Sequence, residues 1–236
     1  MFYYDPLWML ATGIGLIVSL WAQWRVKSAF GHYSRIPIRN GMTGAEAAAA
    51  VARAGNAEVR IERHQGFLSD HYDPRSRTLR LSPDVHDGHS ISSIAVAAHE
   101  AGHAIQHVVA YPALGFRSVL VPVANIGTHL WWLPFAIGAG LLGTGKTLGS
   151  TFMLVGIAMF AGGVLFQLVT LPVEFDASRR AKAVLAQSGI VQTSDEARGV
   201  EKVLDAAAWT YIAAAAASVL QLLVLILRFQ QGRREQ

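Results

Sequence analysis

The sequence predicts a mainly α integral membrane protein of about four transmembrane helices that also carries a small α+β domain with a short hairpin. Three observations predict it. Of 236 residues, 52% are hydrophobic and only 15% charged, and the mean hydropathy is positive. Four apolar stretches come close to or exceed the length of about 20 residues that a helix needs to cross roughly 30 Å of hydrocarbon. Between the first two of them, Arg25 to Arg117 has the character of a compact soluble domain.

The first apolar stretch runs from about Leu7 to Trp24, flanked by Trp8, Trp21 and Trp24, whose rings suit the two water interfaces of a bilayer. Asp5 precedes it, Arg25 and Lys27 follow it, and no small-x-small cleavage site comes after, so it reads as an uncleaved anchor rather than a signal peptide. A helix is expected at about Thr43 to Ala54: Thr43 and Glu46 stand at capping-box spacing before an Ala-rich run, and Gly55-Asn56 stops it. Val59 to Glu62 alternates like a strand. His71-Tyr72-Asp73 and Thr78-Leu79-Arg80-Leu81 flank the turn formers Asp73-Pro74-Arg75-Ser76 and predict a hairpin, closed by Ser82-Pro83. A long helix follows from about Ser90 to Val109, before Pro112.

Beyond Arg117 the apolar character returns in three blocks, about Val119 to Leu142, Thr151 to Leu171 and Ala207 to Phe229, the first two suited to a helical hairpin. A polar helical segment, Pro172 to Ala206, precedes the last block and carries Glu174, Asp176, Arg179, Arg180 and Lys182. The chain therefore divides into an anchor at 1–24, a soluble domain at 25–117, a transmembrane hairpin at 118–171, a soluble helical segment at 172–206, and a final transmembrane helix with a short basic tail at 207–236.

There is no cysteine, which excludes disulfides, thiolate-bound zinc and a thiol nucleophile and leaves any metal site to His and carboxylate. The net charge of +4 and pI near 9.6 do not point to nucleic acid, because the basic residues are spread between apolar stretches with no compact cluster and no interleaved aromatics. They carry topology instead. Four crossings put both soluble pieces on one side, and these pieces hold most of the Lys and Arg, against Lys146 alone in the loop between the second and third blocks. The positive-inside rule then places both pieces in the cytoplasm. The tail, with Arg228, Arg233 and Arg234, runs against the rule, and its side stays open. Asn125, His129, Gln167 and Gln221 are too few and too weakly polar to line a transport path.

The chemistry is concentrated in His99-Glu100-Ala101-Gly102-His103, which fits H-E-x-x-H within the expected helix. Two histidines four residues apart stand one turn above one another on a single helix face and can grip one ion together. Zinc suits two imidazoles and a carboxylate, keeps a fourth position for water, and brings that water's pKa to about 7. Glu100, beside the first histidine, is placed to act as general base and then general acid. A purely structural site has no need of Glu100, which argues against the alternative of a non-catalytic zinc-containing membrane scaffold or quality-control adaptor.

The third ligand is not in the motif. The extended pattern H-E-x-x-H-x-x-G-x-x-H needs Gly at 106 and His at 109, where Gln106 and Val109 stand. His107 shares a face with His103, but three histidines at successive i+4 spacing spread over about 12 Å of helix axis, too far for one zinc, so His107 is expected to support a ligand or to sit on the polar face. A carboxylate from a distant helix is left. Glu174, where an apolar block ends, leads, and Asp176 competes with it.

Several segments together resemble the YugP-type membrane zinc metallopeptidases of bacteria: Leu68 to Arg75, Leu79 to Pro83, Ala95 to His107, Val121 to Asn125 and Leu171 to Ser178. The resemblance spans the chain from the first anchor to about Leu204. It implies a zincin-like domain, one Zn2+ per chain, a gluzincin ligand set in which Glu174 joins His99 and His103, and a multi-pass protein of the bacterial inner membrane with its active site on the cytoplasmic side. More loosely, the chain is similar to HtpX-like and CAAX-prenyl membrane proteases, whose glutamate opens an E-x-x-A-D pattern; Glu174-Phe175-Asp176-Ala177 follows it, and Ser178 stands in place of the Asp. That departure asks for another carboxylate to orient a ligating histidine, with Asp176 as one choice.

By the same analogy the hairpin binds an extended substrate along an exposed sheet edge, with Thr78, Leu79, Arg80 and Leu81 as the candidate strand. His71 is a candidate electrophile near the substrate carbonyl. His32, His64, His86, His89 and His129 read as surface or interface residues. The expected partners are a peptide or protein substrate at or near the bilayer, and the lipid itself, with no nucleic acid; an oligomer is left open. The motif helix is only moderately apolar and is preceded by His86, Asp87, Gly88 and His89, so a juxtamembrane site is expected rather than one within the bilayer.

Overall fold

The computed structural model describes residues 5–66, 68–142 and 147–234; Lys146, expected in a loop between spans, lies outside them. Among the described residues, eight helices and three strands follow in the order α1 (Pro6–Tyr33), α2 (Gly44–Ala54), β1 (Arg60–Arg63), β2 (His71–Asp73), β3 (Thr78–Leu81), α3 (Pro83–His86), α4 (Ile91–Val108), α5 (Pro112–Leu130), α6 (Trp132–Leu142), α7 (Thr147–Gln187) and α8 (Ser194–Arg234). They form two compact units. One comprises Met1–Trp21, Phe116–Thr170 and Tyr211–Gln236, the other Ala22–Gly115 and Leu171–Thr210.

The second unit is built around α4. Its N-cap Ser90 accepts a hydrogen bond from the Ser93 amide at 3.1 Å, and Ala95, Ala97, Ala98, Ala101 and Ala104 are all buried. Small side chains let neighbouring elements approach α4 from several directions, and α2 does so through Ala47, Ala48, Val51 and Ala52. Thr43 and Glu46 form the expected capping box, the Thr43 hydroxyl accepting from the Glu46 amide at 3.1 Å and Glu46 Oε2 accepting from the Thr43 amide at 2.7 Å. The far side of this core comes from Ala181 and Leu185 of α7 and Val200, Val203 and Leu204 of α8.

The hairpin forms as β2 and β3, antiparallel, with His71 opposite Arg80 and Asp73 opposite Thr78. Asp73 holds the turn, accepting from the Arg75 amide, the Ser76 hydroxyl and the Arg80 guanidinium. One expectation is corrected here. Thr78 to Leu81 is not an edge strand, because β1 pairs with its other side in parallel and the sheet order is β1-β3-β2. Both rows of main-chain groups on β3 are therefore used, and Thr78, Leu79 and Leu81 are buried. The free edges belong to β1 and β2.

Among the described residues, α1, α7 and α8 are long and apolar enough to cross a bilayer, and a fourth candidate span is reached only if the bent pair α4 and α5 is counted as one. The block expected from Val119 to Leu142 is shared between α5 and α6, which break at Trp131. Gly127 lies against the Met159 carbonyl so closely that no Cβ would fit, a small-residue contact of the kind that lets membrane helices pack. Phe135, Met153, Phe160, Val164, Leu225 and Phe229 form the core of the first unit.

Pro172 does not end the helix of the third apolar block. α7 runs on from Thr147 through it to Gln187, and the polar helical segment expected from Pro172 to Ala206 is the continuation of α7 together with the start of α8. The turn between them passes Gly189 at φ +65°. It is closed by a second capping box: Glu196 Oε2 accepts from the Thr193 amide at 3.0 Å, and the Thr193 hydroxyl accepts from the Glu196 amide at 3.2 Å.

Candidate metal centre

α4 carries His99, Glu100 and His103, and α7 carries Glu174 two residues beyond Pro172. The two helices touch where Gly102 faces Ala177: a Cβ on Gly102 would lie 2.5 Å from the Ala177 carbonyl oxygen. This approach brings together residues distant in the chain. Glu174 Oε2 lies 3.1 Å from His99 Nε2 and 3.5 Å from His103 Nε2, and the two imidazole rings meet edge to face with centroids 4.8 Å apart. All three side chains are largely buried, Glu174 at 3% exposure.

The donor set fits a zinc ion. A tetrahedral ion about 2.0 Å from each donor needs its donors about 3.3 Å apart, and the two separations from the shared Glu174 oxygen bracket that value. Two imidazoles and a carboxylate, without thiolate, are the ligands of zinc sites that keep an open position. Among the described residues, His99, His103 and Glu174 are the group whose ligand atoms converge, all within 4.8 Å.

The remaining ring nitrogens point away from this centre toward fixed partners. His99 Nδ1 lies 3.0 Å from the Ser178 hydroxyl, and His103 Nδ1 lies 3.0 Å from Gln106 Oε1. Gln106 is fully buried and donates from Nε2 to the Val173 carbonyl at 2.7 Å and to Asp176 Oδ2 at 3.0 Å. Asp176 is held in turn by Arg179 and Arg180. Two expectations change. Asp176 reaches a ligand only through Gln106, and Ser178 itself, rather than a substitute carboxylate, meets His99. His107, one further turn along α4, turns to β2, where its Nδ1 lies 2.8 Å from the Tyr72 hydroxyl. His71 is exposed, its Nδ1 2.8 Å from the Ser69 carbonyl.

Glu100 is buried at 9% exposure. Its negative charge reaches Asp70, just before β2, whose carboxyl is pushed above the ordinary range, first by burial and further by Glu100, against two hydrogen bonds from Ser82 that favour the ionised form. Sequence reasoning passed over Gln106, Ser178 and Asp70 as parts of the site. A spacing signal existed for Gln106, three residues beyond His103 and therefore on its face of the helix.

With this geometry in hand, the sequence comparisons decide the kinship. Residues 8–230 match the family described as "Putative neutral zinc metallopeptidase". The chain is also 44% identical over 230 residues, 97% of its own length and 99% of the relative's, to "Putative membrane protease YugP" of Bacillus subtilis (strain 168). The chain belongs to this zinc metallopeptidase family. No solved structure matches it. Zinc sites of this kind use three protein donors, and His99, His103 and Glu174 form a group that could hold a metal ion.

Proposed function

We propose that the chain is a membrane-embedded zinc-dependent endopeptidase that hydrolyses peptide bonds of membrane or membrane-proximal proteins at a site on the cytoplasmic face of the bacterial inner membrane. The observation that carries this reading is the convergence of His99, His103 and Glu174 within 4.8 Å, with Glu100 next to the first of them. His99 and His103 offer their Nε2 atoms and Glu174 a carboxylate oxygen to one zinc per chain. When bound, zinc supplies Lewis acidity, polarising a carbonyl and making water acidic enough to react at neutral pH.

The rest is done by the chain's own residues. Glu100 takes a proton from the attacking water as the water oxygen bonds to the scissile carbonyl carbon, and gives it to the amide nitrogen as the C–N bond breaks. Burial of Glu100 keeps that proton from bulk solvent. Gln106 and Ser178 orient the two imidazoles. Because β3 is central, the substrate strand adds to the free edge of β2, which the Tyr72–His107 hydrogen bond ties to α4. A short added strand there would be held by main-chain hydrogen bonds, consistent with action on extended segments.

The test is casein cleavage by detergent-purified protein. Glu100→Gln should keep its zinc and lose at least about 100-fold in rate, as expected for a general base, and a chelator should abolish wild-type cleavage until zinc is returned. Undiminished proteolysis by Glu100→Gln would overturn the assignment.

A further inference from the structure

We propose that His71 forms a specificity subsite at the substrate edge of the sheet: its Nε2 accepts a hydrogen bond from one side chain of the added peptide strand, favouring a hydroxyl, amide or ammonium there over a carboxylate. This rests on the reading above that the substrate adds to the free edge of β2. Side chains alternate between the two faces of a strand. Tyr72 turns to α4, its hydroxyl 2.8 Å from His107 Nδ1, so His71 and Asp73 lie on the opposite, outer face of the sheet. Arg80 marks the same face, its Nη1 2.9 Å from Asp73 Oδ2. Across the strands Arg80 is the partner both of His71 on β2 and of Glu62 on β1. Glu62, Arg80 and His71 therefore form one row, and a strand added to β2 extends it with a side chain whose Cβ lies about 5 Å from that of His71.

What that side chain meets follows from hydrogen-bond chemistry. The Ser69 carbonyl, 2.8 Å from His71 Nδ1, has no proton to give, so Nδ1 carries the ring proton. In the neutral ring the lone pair is then on Nε2, and among the described residues Nε2 has no hydrogen-bond partner. An exposed ring with an open acceptor suits a donor. The next group in the row offers nothing to an anion, because Arg80 is already matched by Asp73 at 2.9 Å and by Glu62 at 3.8 Å, two carboxylates to one guanidinium. His64 packs edge to face against His71, with centroids 5.6 Å apart, and steadies the ring. Neighbouring side chains of the added strand turn to the other face, where α4 lies, so the subsite reads one side chain of the strand.

The experiment reads peptide binding rather than cleavage. Full-length Glu100→Gln protein in detergent, supplied with zinc, is titrated at pH 8 to keep imidazoles neutral. The probe is one fluorescent extended peptide in which Gln and then Glu, side chains of the same shape, is placed at each position in turn, and anisotropy reads the affinity. At one position Gln should bind about 2–10-fold more tightly than Glu. Adding His71→Phe should abolish that preference and no other, and His71→Lys, which can only donate, should reverse it. Equal binding of Gln and Glu at all positions, or a preference that survives His71→Phe, would overturn the proposal. Main-chain N-methylation of the peptide tests the edge reading separately. Binding that N-methylation weakens, but without a preference that depends on His71, defeats the subsite alone; binding indifferent to N-methylation, or no binding at all, defeats strand addition and the subsite with it.

Discussion

His99 and His103 share a helix face and yet are held from behind by different chemistry, a hydroxyl for one and a buried amide for the other. Removing the hydroxyl should therefore weaken zinc without abolishing it: Ser178→Ala is expected to lose about 10-fold in zinc affinity, the mild end of such effects, read by chelator competition. Asp70 makes a prediction about pH. Its carboxyl is raised by burial, so the folded state holds the proton more tightly than the unfolded one. Its contribution is most favourable at low pH and is lost as pH rises from the unfolded value, about 4, through the folded one. Asp70→Asn should remove that decline, so the variant's stability relative to wild type should grow as pH rises over that window in thermal unfolding. At this scale the ligand pair was legible because four-residue spacing on a helix is local information. Ser178 and Asp70 were not, since their partners lie 79 and 12 residues away and depend on which helix or strand comes alongside; Gln106 carried a local signal through its spacing to His103, while its contact with Val173, 67 residues away, was not legible.

At the level of elements, the site depends on how closely α4 and α7 approach. Gly102→Ala places a methyl group against the Ala177 carbonyl, which must push the helices apart and separate His103 from Glu174. A loss of about 1–3 kcal/mol of stability, together with weakened zinc binding, is expected, measured by thermal unfolding and elemental analysis. Unperturbed zinc content in Gly102→Ala would mean that the two ligand helices tolerate a wider gap. Helix starts were well marked in the sequence: Thr43 and Glu46 announced α2, and Ser90 announced α4. The Thr193 and Glu196 pair carried the same signal for α8 and went unread, inside a segment read only as polar and helical. Pro172 misled in the other direction, because a proline inside an apolar run suggests a break and α7 continues past it. The place of β3 was illegible for a plain reason. A hairpin names one neighbour of each strand, and only the fold supplies β1 as the other.

For the whole molecule, the ends of the chain bear on topology. Asp5 ahead of α1 is ion-paired with Arg228 near the end of α8, and Gly15 packs against Ala217, so α1 and α8 run antiparallel with the start of one beside the end of the other. Arg228 is thus committed to a carboxylate, while Arg233 and Arg234 still run against the positive-inside rule. The chain has no native cysteine, so single cysteines can be read cleanly. A membrane-impermeant maleimide should label Gln231→Cys in spheroplasts and label Ser188→Cys only after lysis; labelling of both from outside would contradict this topology. The central claim is that residues from two helices, 71 positions apart from His103 to Glu174, hold one zinc. Elemental analysis of detergent-purified wild type, His99→Ala and Glu174→Ala tests it most directly. One zinc per chain in wild type, lost in both variants while each stays folded, is the predicted result; zinc retained at full stoichiometry by Glu174→Ala would contradict it and move the third ligand elsewhere.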